Sequence, residues 1–432
     1  MNPVGAGVEN VLLTVIVQLI VIIASARIFG ALFRRFGQPQ VCGEIAAGLI
    51  LGPSLLGGLF PGAFHFVFNP AVGPIFSVMS QLGLVLLMFL IGLEFDFGHL
   101  GANRKIAVSV SGTGILLPFG LGFTLGHFMH GWLALPGTWI NFALFMGTAM
   151  SITAIPILGR IMIEMGINRT RIGSLTISSA AIDDAAGWIL LALVTAIVKS
   201  EFDPAKLGWM IAQVLAFAAF MTFVARPLLL RWIRSLTLAD LSLNALAILL
   251  IVVFLAAVAT NLIGIFSIFG AFFLGAILYD QHEFVEKVKR RLSDFVTVFF
   301  LPIFFTYTGL RTDIGSMGAG GALWGMCALV LAAAVIGKFG GCTLAARANG
   351  VPWRESSIIG VMMNTRALME LIVINIGYDL GVIPKSVFFM LVLMAVVTTY
   401  VTSPVLRRLI PGSEMEADYA KSGFSRLRAL TS

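Results

Sequence analysis

Residues 178–194 read SSAAIDDAAGWILLALV, with Asp183 and Asp184 inside a run that is otherwise small or apolar. The run belongs to a longer stretch, about residues 171–199. That is more than the roughly 20 residues an α-helix needs to cross a bilayer. The rest of the chain settles how to read it. Of 432 residues, 59% are hydrophobic and 11% charged, too apolar a balance for a soluble domain. Apolar runs of similar length recur from end to end. They are continuous rather than alternating, which excludes a membrane β-barrel. The sequence therefore predicts an all-α polytopic membrane protein.

Thirteen transmembrane helices are predicted, near residues 9–33, 40–57, 73–95, 104–128, 137–164, 171–199, 205–231, 240–262, 266–281, 292–311, 318–347, 353–380 and 385–410. Residues 1–410 form the membrane domain and 411–432 a short tail, with no appended soluble domain expected. The first run ends in RIFGALFRRFG without a small-residue cleavage site, so no cleaved leader is expected. The net charge of +7 resides mostly in short loops, a topology signal rather than a nucleic-acid footprint. With the N-terminus outside, 21 Lys and Arg fall in inward loops and the tail, and four (Lys199, Lys206, Arg311, Lys385) fall in outward loops. Arg27, Lys338 and Arg366 remain within spans. The bias predicts N-out, C-in. Cys42, Cys327 and Cys342 all fall in apolar runs and read as buried thiols with no disulfide framework.

Two spans carry breaks. The fifth contains GTAMSITAIPILG (147–159), with small hydroxyl residues and Pro156. The twelfth contains GVMMNTRALMEL (360–371), with Asn364, Thr365 and Arg366 at mid-depth. Broken helices persist in lipid only where the freed backbone groups find protein or water partners. The two broken spans are seven apart in the order, so these helices run in opposite directions. That placement fits two inverted six-helix repeats with the seventh span as linker, and matching breaks in two halves point to a transporter's binding site.

At about 1.5 Å per residue from the inner end of each span, Thr153 lies near 17 Å, Asp183 near 18 Å and Asp184 near 20 Å, with Lys338 near 14 Å, Arg366 near 20 Å and Glu370 near 26 Å. Four spans thus bring polar groups to similar depths. Each ionisable group there costs several kcal/mol, about 2.5–3.5 by insertion scales, unless paired or hydrated. Structural ion pairs, Asp183 with Lys338 and Arg366 with Glu370, are the simplest account. The second pair is spaced i,i+4, and Glu370 can sit at the positive N-terminal end of a half-helix. The first pair leaves one acid over. Adjacent helical residues point about 100° apart, so one aspartate can turn to Lys338 while the other faces a watery cavity. Burial and a like-charged neighbour both disfavour a bare carboxylate. Such a group can hold either a proton or a monovalent cation, and if access changes only when it is loaded, exchange follows.

Thr153 and Ser151 offer hydroxyl and carbonyl oxygens that suit Na⁺ or K⁺, although back-bonding to the helix is the commoner use of membrane Ser and Thr. The same commoner use is expected of Ser178 and Ser179. Glu44 reads as interfacial, one turn from the inner end of its span, and the glycines around it as helix-packing residues. Glu94 and Asp96 read as solvated, and Asp294 and Asp313 as interfacial. The five histidines show no metal-ligand spacing. No Walker A motif is present, so neither ATP nor any other cofactor is expected.

Five stretches now carry a resemblance: GQPQVCGEIAAGLILGPSLLG (37–57), LGLVLLMFLIGLEFD (82–96), SSAAIDDAAGW (178–188), LPIFFTYTGLRTDI (301–314) and MMNTRALMELIVINIGYDLGVI (362–383). In this order they resemble the monovalent cation:proton antiporter superfamily, and within it the second family of sodium or potassium/proton exchangers. The resemblance implies a thirteen-helix fold with two crossed broken helices. It implies a mobile core of about residues 73–199 and 292–380, a dimer or panel domain from the remainder, and elevator-like alternating access in the inner cell membrane as a homodimer. It implies that Asp184 binds the cation and the proton, that Asp183 pairs with Lys338 of GKFGG, and that Thr153 lines the crossing. Arg366 and Glu370 fall where relatives show Arg-Gly-X-Met-Glu, and Ala367 replaces that glycine here. Potassium-releasing relatives carry Gln-Asp at the doublet and a nucleotide-binding domain. Asp-Asp without such a domain favours Na⁺ over K⁺ and points to electrogenic exchange.

Other readings make different demands. An aspartyl protease needs two carboxylates about 3 Å apart sharing a proton, whereas these two diverge on one helix. A sodium-coupled organic-anion symporter needs a cationic or neutral polar pocket, and acids dominate here. Export of an organic cation by the same scaffold stays open at this stage.

Overall fold

The computed structural model describes residues 3–36, 38, 40–94, 104–167, 170–199, 203–236, 241–318, 320–366 and 368–421. Among these, all regular structure is helical. Ten helices are long and apolar enough to cross a membrane, and eleven if the bent pair Trp353–Met363 and Leu368–Asp379 counts as one span. The chain is a multi-pass membrane protein. Two predicted spans take other forms. The 137–164 stretch divides into Trp139–Ser151 and Ile155–Glu164. The 266–281 stretch yields the 10-residue Ser267–Ala276 helix, which rises only about 15 Å, half the hydrocarbon thickness. Asp96, Arg169, Ala367 and the tail beyond Lys421 lie outside the described residues.

The first break has a cause in the chain. Pro156 has no N–H to give the Ile152 carbonyl, and Ile152 is where the helix stops, with extended φ −86° and ψ 142°. As the second residue of Ile155–Glu164, Pro156 then sits where a helix has no use for that N–H. The second break has no proline. Asn364 ends the Trp353–Met363 helix with ψ 5°, and the two halves are bent by 41°. Three long helices contain a single π-turn, at Met221–Ala225, Val296–Phe300 and Ile336–Gly340. Pro227 and Pro302 follow the first two and account for them. The third lies in GKFGG around Lys338, and π-turns of this kind often mark functional positions.

Backbone contacts divide the chain into two compact units. One comprises Met1–Ala24, Ala63–Phe97 and Ala192–Tyr307, the other Ser25–Gly62, Gly98–Leu191 and Thr308–Ser432. Of the expected core, residues 98–191 and 308–380 fall in the second unit, and 73–97, 192–199 and 292–307 in the first.

In the first unit, Gly73–Glu94 packs on Ser267–Ala276 through glycine. A Cβ on Gly92 would lie 2.3 Å from the Phe272 carbonyl oxygen, and one on Gly275 would lie 2.3 Å from that of Phe89. Backbones this close tolerate no side chain between them. Gly92→Ala is therefore expected to cost about 1–3 kcal/mol through overpacking, read as a lowered melting temperature in detergent. Gly112→Ala, where a Cβ meets nothing within 4 Å, is the matched control. In the second unit, a Cβ on Gly43 would lie 2.4 Å from the Phe29 carbonyl oxygen and one on Gly309 2.2 Å from the Gly48 carbonyl carbon. Gly43, Gly48 and Gly52 serve the close packing read from the sequence.

Candidate functional site

All seven site residues named from the sequence lie in the second unit, where the breaks meet. Thr153 Oγ1 donates to the Met363 carbonyl at 2.9 Å, and the Ala154 N–H donates to the Thr365 carbonyl at 3.2 Å. Residues freed from one helix thus satisfy residues freed from the other, as an interruption in lipid requires. Arg366 N–H donates to Thr399 Oγ1 at 3.2 Å, and the hydroxyls of Thr365 and Thr402 are 3.3 Å apart. Thr399 and Thr402 brace the second break from the Lys385–Leu409 helix. Neither stood out in the sequence, and their only signal was hydroxyls in an apolar run.

Asp183 and Asp184 are both fully buried, yet they have different surroundings. Asp183 accepts from Lys338 Nζ at 2.9 Å and 3.0 Å on its two oxygens, and from the Thr153 N–H at 2.8 Å. Lys338 Nζ also donates to the Ser151 carbonyl. The placement follows the half-helix dipoles. Lys338 faces the carbonyl, negative end of Trp139–Ser151, and Asp183 faces an N–H just ahead of Ile155–Glu164. Asp184 has no such company. Its carboxylate oxygens take no well-formed hydrogen bond from the described residues, and the Trp188 side chain, one turn on and 3% exposed, reaches it only as a loose hydrogen-bond donor.

Arg366 and Glu370 are also fully buried. The sequence reading set them on one helix. In the structure Arg366 lies in the break, and Glu370 lies in the first turn of Leu368–Asp379. They still pair, at 3.8 Å. The Arg366 guanidinium donates to Ala149 O at 3.4 Å and Ala334 O at 3.2 Å, so a second cation stands at the C-terminal end of Trp139–Ser151. The Ser151 hydroxyl back-bonds to Thr148 O at 2.9 Å, and Ser179 to Leu175 O at 2.8 Å, the commoner use expected of such groups. Only the Ser151 carbonyl turns to the site.

Among the described residues the buried charges around the breaks are therefore three acids (Asp183, Asp184, Glu370) and two bases (Lys338, Arg366). With all five ionised, one negative charge is left over, and it belongs to the acid without a partner. Among the described residues no group of three His, Cys, Asp or Glu side chains could hold a metal ion. A cation here would rest on one carboxylate with hydroxyl and carbonyl oxygens, a donor set suited to a hard monovalent ion. The other groups singled out lie elsewhere. Glu44 is 4% exposed and accepts from Gln40 Nε2 at 2.9 Å, so its side chain is buried against the protein near the start of its helix. Asp294 is exposed and Asp313 half-buried, and Asp313 caps the Ile314–Met317 turn. The three cysteines are buried free thiols.

The fold has a solved counterpart. It matches the sodium proton antiporter MjNhaP1 of Methanocaldococcus jannaschii with a TM-score of 0.67, covering 95% of this chain and 99% of that one at 12% identity. This likeness defines the class of fold, an all-helical membrane fold. Residues 20–410 match the family described as "Sodium/hydrogen exchanger, transmembrane", and the chain belongs to that family of secondary transporters, not enzymes. It is 41% identical over 409 residues to the Na⁺/H⁺ antiporter NhaS4 of Synechocystis, covering 93% of this chain and 98% of that protein. It is 36% identical over 415 residues to cation/H⁺ antiporter 17 of Arabidopsis thaliana, covering 95% of this chain. The chain spans about half the length of that plant relative, 50% of it.

Proposed function

We propose that this protein exchanges a monovalent cation, Na⁺ in preference to K⁺, for protons across the cell membrane by alternating access, both ions competing for Asp184. One observation carries the reading. Asp184 is a fully buried carboxylate with no ion pair among the described residues, and there it holds the one charge in excess at the site. A bare charge in that setting is too costly to persist. A proton or an alkali cation neutralises it, and loading by one excludes the other. Asp183, held by Lys338 and Thr153, is the fixed charge beside it. Thr153, the Ser151 carbonyl, Arg366 and Glu370 shape and balance the site.

Na⁺ is favoured by the Asp-Asp doublet and by the name of the Synechocystis relative, a Na⁺/H⁺ antiporter. The loop distribution of Lys and Arg supports an outside N-terminus and a cytoplasmic C-terminus. A mobile core of about residues 73–199 and 292–380 with a panel domain from the remainder, working as a homodimer, is the arrangement the sequence resemblance supports. Alternating access needs the whole site to travel together, and all seven residues share one compact unit.

Proton flux across proteoliposomes, read with a pH-sensitive dye against Na⁺, K⁺ and Li⁺ at several pH values, tests this. Na⁺ and Li⁺ should dissipate an imposed pH gradient and K⁺ much less. The apparent KM for Na⁺ should rise as pH falls, by up to about tenfold per unit for one proton in competition. A KM for Na⁺ indifferent to pH, or no proton movement with any alkali cation, rejects the assignment.

A further inference from the structure

We infer that Glu414 is a positioning residue for exchange. From the loop after the last long helix, it holds the end of the Asp183–Asp184 helix where those carboxylates meet Lys338 and Thr153. The inference rests on the exchange reading above.

The Arg171–Lys199 helix begins 12 residues before Asp183. The first N–H groups of any helix have no partner within it. Thr170 satisfies one locally, its hydroxyl accepting from the Gly173 N–H at 3.0 Å. The Ile172 N–H is satisfied from far away in sequence, by Glu414 Oε1 at 3.2 Å. Glu414 Oε2 meanwhile accepts from Arg171 Nε and NH2, each at 3.2 Å. One carboxylate thus grips both the backbone and the first side chain of the helix, at the end where a negative charge suits the dipole.

The loop that presents Glu414 is built on its own bonds. Ser413 Oγ donates to Ile410 O at 2.6 Å, and Gly412 N–H to Glu416 Oε2 at 2.8 Å. Ile410 and Met415 are both completely buried, so apolar side chains anchor the loop on either side of Glu414. The same segment reaches the second broken helix. Arg354, in the first turn of Trp353–Met363, donates from Nε to Leu409 O at 2.9 Å. Residues 409–416 therefore join the start of the helix bearing both aspartates to the start of the helix that leads into the second break. An Arg–Glu pair at 52% and 35% side-chain exposure is weak by itself and screened by salt. The amide bond and the buried anchors give the clasp its hold. A helix is stiff along its length, so freeing its first turn is felt at Asp183 and Asp184.

The test uses the full chain in proteoliposomes. Glu414→Ala should raise the apparent KM for Na⁺ about three- to tenfold, with maximal rate within twofold and melting temperature unchanged. Amide hydrogen exchange at residues 172–175 should quicken. Glu414→Gln, which keeps an acceptor for the Ile172 N–H, should stay closer to the original protein than Glu414→Ala does. A KM within twofold of the original for Glu414→Ala overturns the inference, as does a rate that falls only in step with melting temperature. If the original protein moves no protons with Na⁺, the exchange reading fails instead. The amide measurement still judges the clasp, and unchanged exchange at residues 172–175 rejects it.

Discussion

Asp184→Asn is expected to reduce cation-driven proton flux to the background of empty liposomes while leaving the fold intact. Asparagine keeps the shape of the side chain and cannot ionise, so the site loses the group that proton and cation share. The fold should bear the change because no described residue holds the Asp184 oxygens in a well-formed hydrogen bond, and asparagine keeps an oxygen for the Trp188 side chain. Removing the excess charge also relieves Asp183 of a like-charged neighbour. A stability change within about 1 kcal/mol is expected. The adjacent substitution should behave in the opposite way. Asp183→Asn leaves Lys338 as an uncompensated charge and weakens the acceptor of the Thr153 N–H. Breaking a buried pair from one side costs about 3–5 kcal/mol. Two neighbouring aspartates should therefore separate cleanly, one variant stable and inactive, the other destabilised. Melting temperature and flux measured on both decide it. Robust exchange by Asp184→Asn would reject the competitive site.

Much of this site was legible in the sequence, for an energetic reason. A charge within a 20-residue apolar run is expensive enough that chance does not leave it there, so Asp183, Asp184, Lys338, Arg366 and Glu370 stood out on composition. Pro156 beside small hydroxyl residues marked the first break. The sequence could not supply partners distant along the chain. Lys338 and Asp183 are 155 residues apart, and Thr153 and Met363 are 210 apart. Depth counting put these groups at one level but could not say which of the two aspartates faces the lysine. Local spacing served at Arg366 and Glu370, which pair at i,i+4 with Glu370 in the first turn of the second half-helix. Hydropathy could not show that Ser267–Ala276 stops after ten residues, since Ile277 and Leu278 just beyond it are as apolar as those within. The burial of Glu44 comes from neighbours that its position near a helix end does not reveal. Glu414 gave no signal at all, being an ordinary carboxylate in a polar loop.

Lys338→Ala should be the most destabilising change at the site, and its transport phenotype should be a changed pH profile or stoichiometry rather than simple loss. The stability argument is direct. Lys338 is fully buried, answers both oxygens of Asp183 and supports the carbonyl end of Trp139–Ser151 at Ser151. Its removal leaves a buried carboxylate unpaired and a half-helix terminus without its cation, a loss of about 3–5 kcal/mol. The transport argument follows from the charge count. Without Lys338, three acids face Arg366 alone, and two negative charges are in excess instead of one. Two neutralising ions are then needed per loaded site, so the proton dependence of flux should steepen and the Na⁺ to H⁺ ratio should change. Lys338→Ala combined with Asp183→Asn returns the count to a single excess charge and removes the stranded partner. That double variant should recover much of the lost stability, giving a coupling in the cycle well beyond the few tenths of a kcal/mol expected of independent sites. Melting curves for the two single variants and the double, with flux measured across pH, provide the check. If Lys338→Ala leaves both stability and pH profile as they were, the pairing with Asp183 does not set the charge of this site.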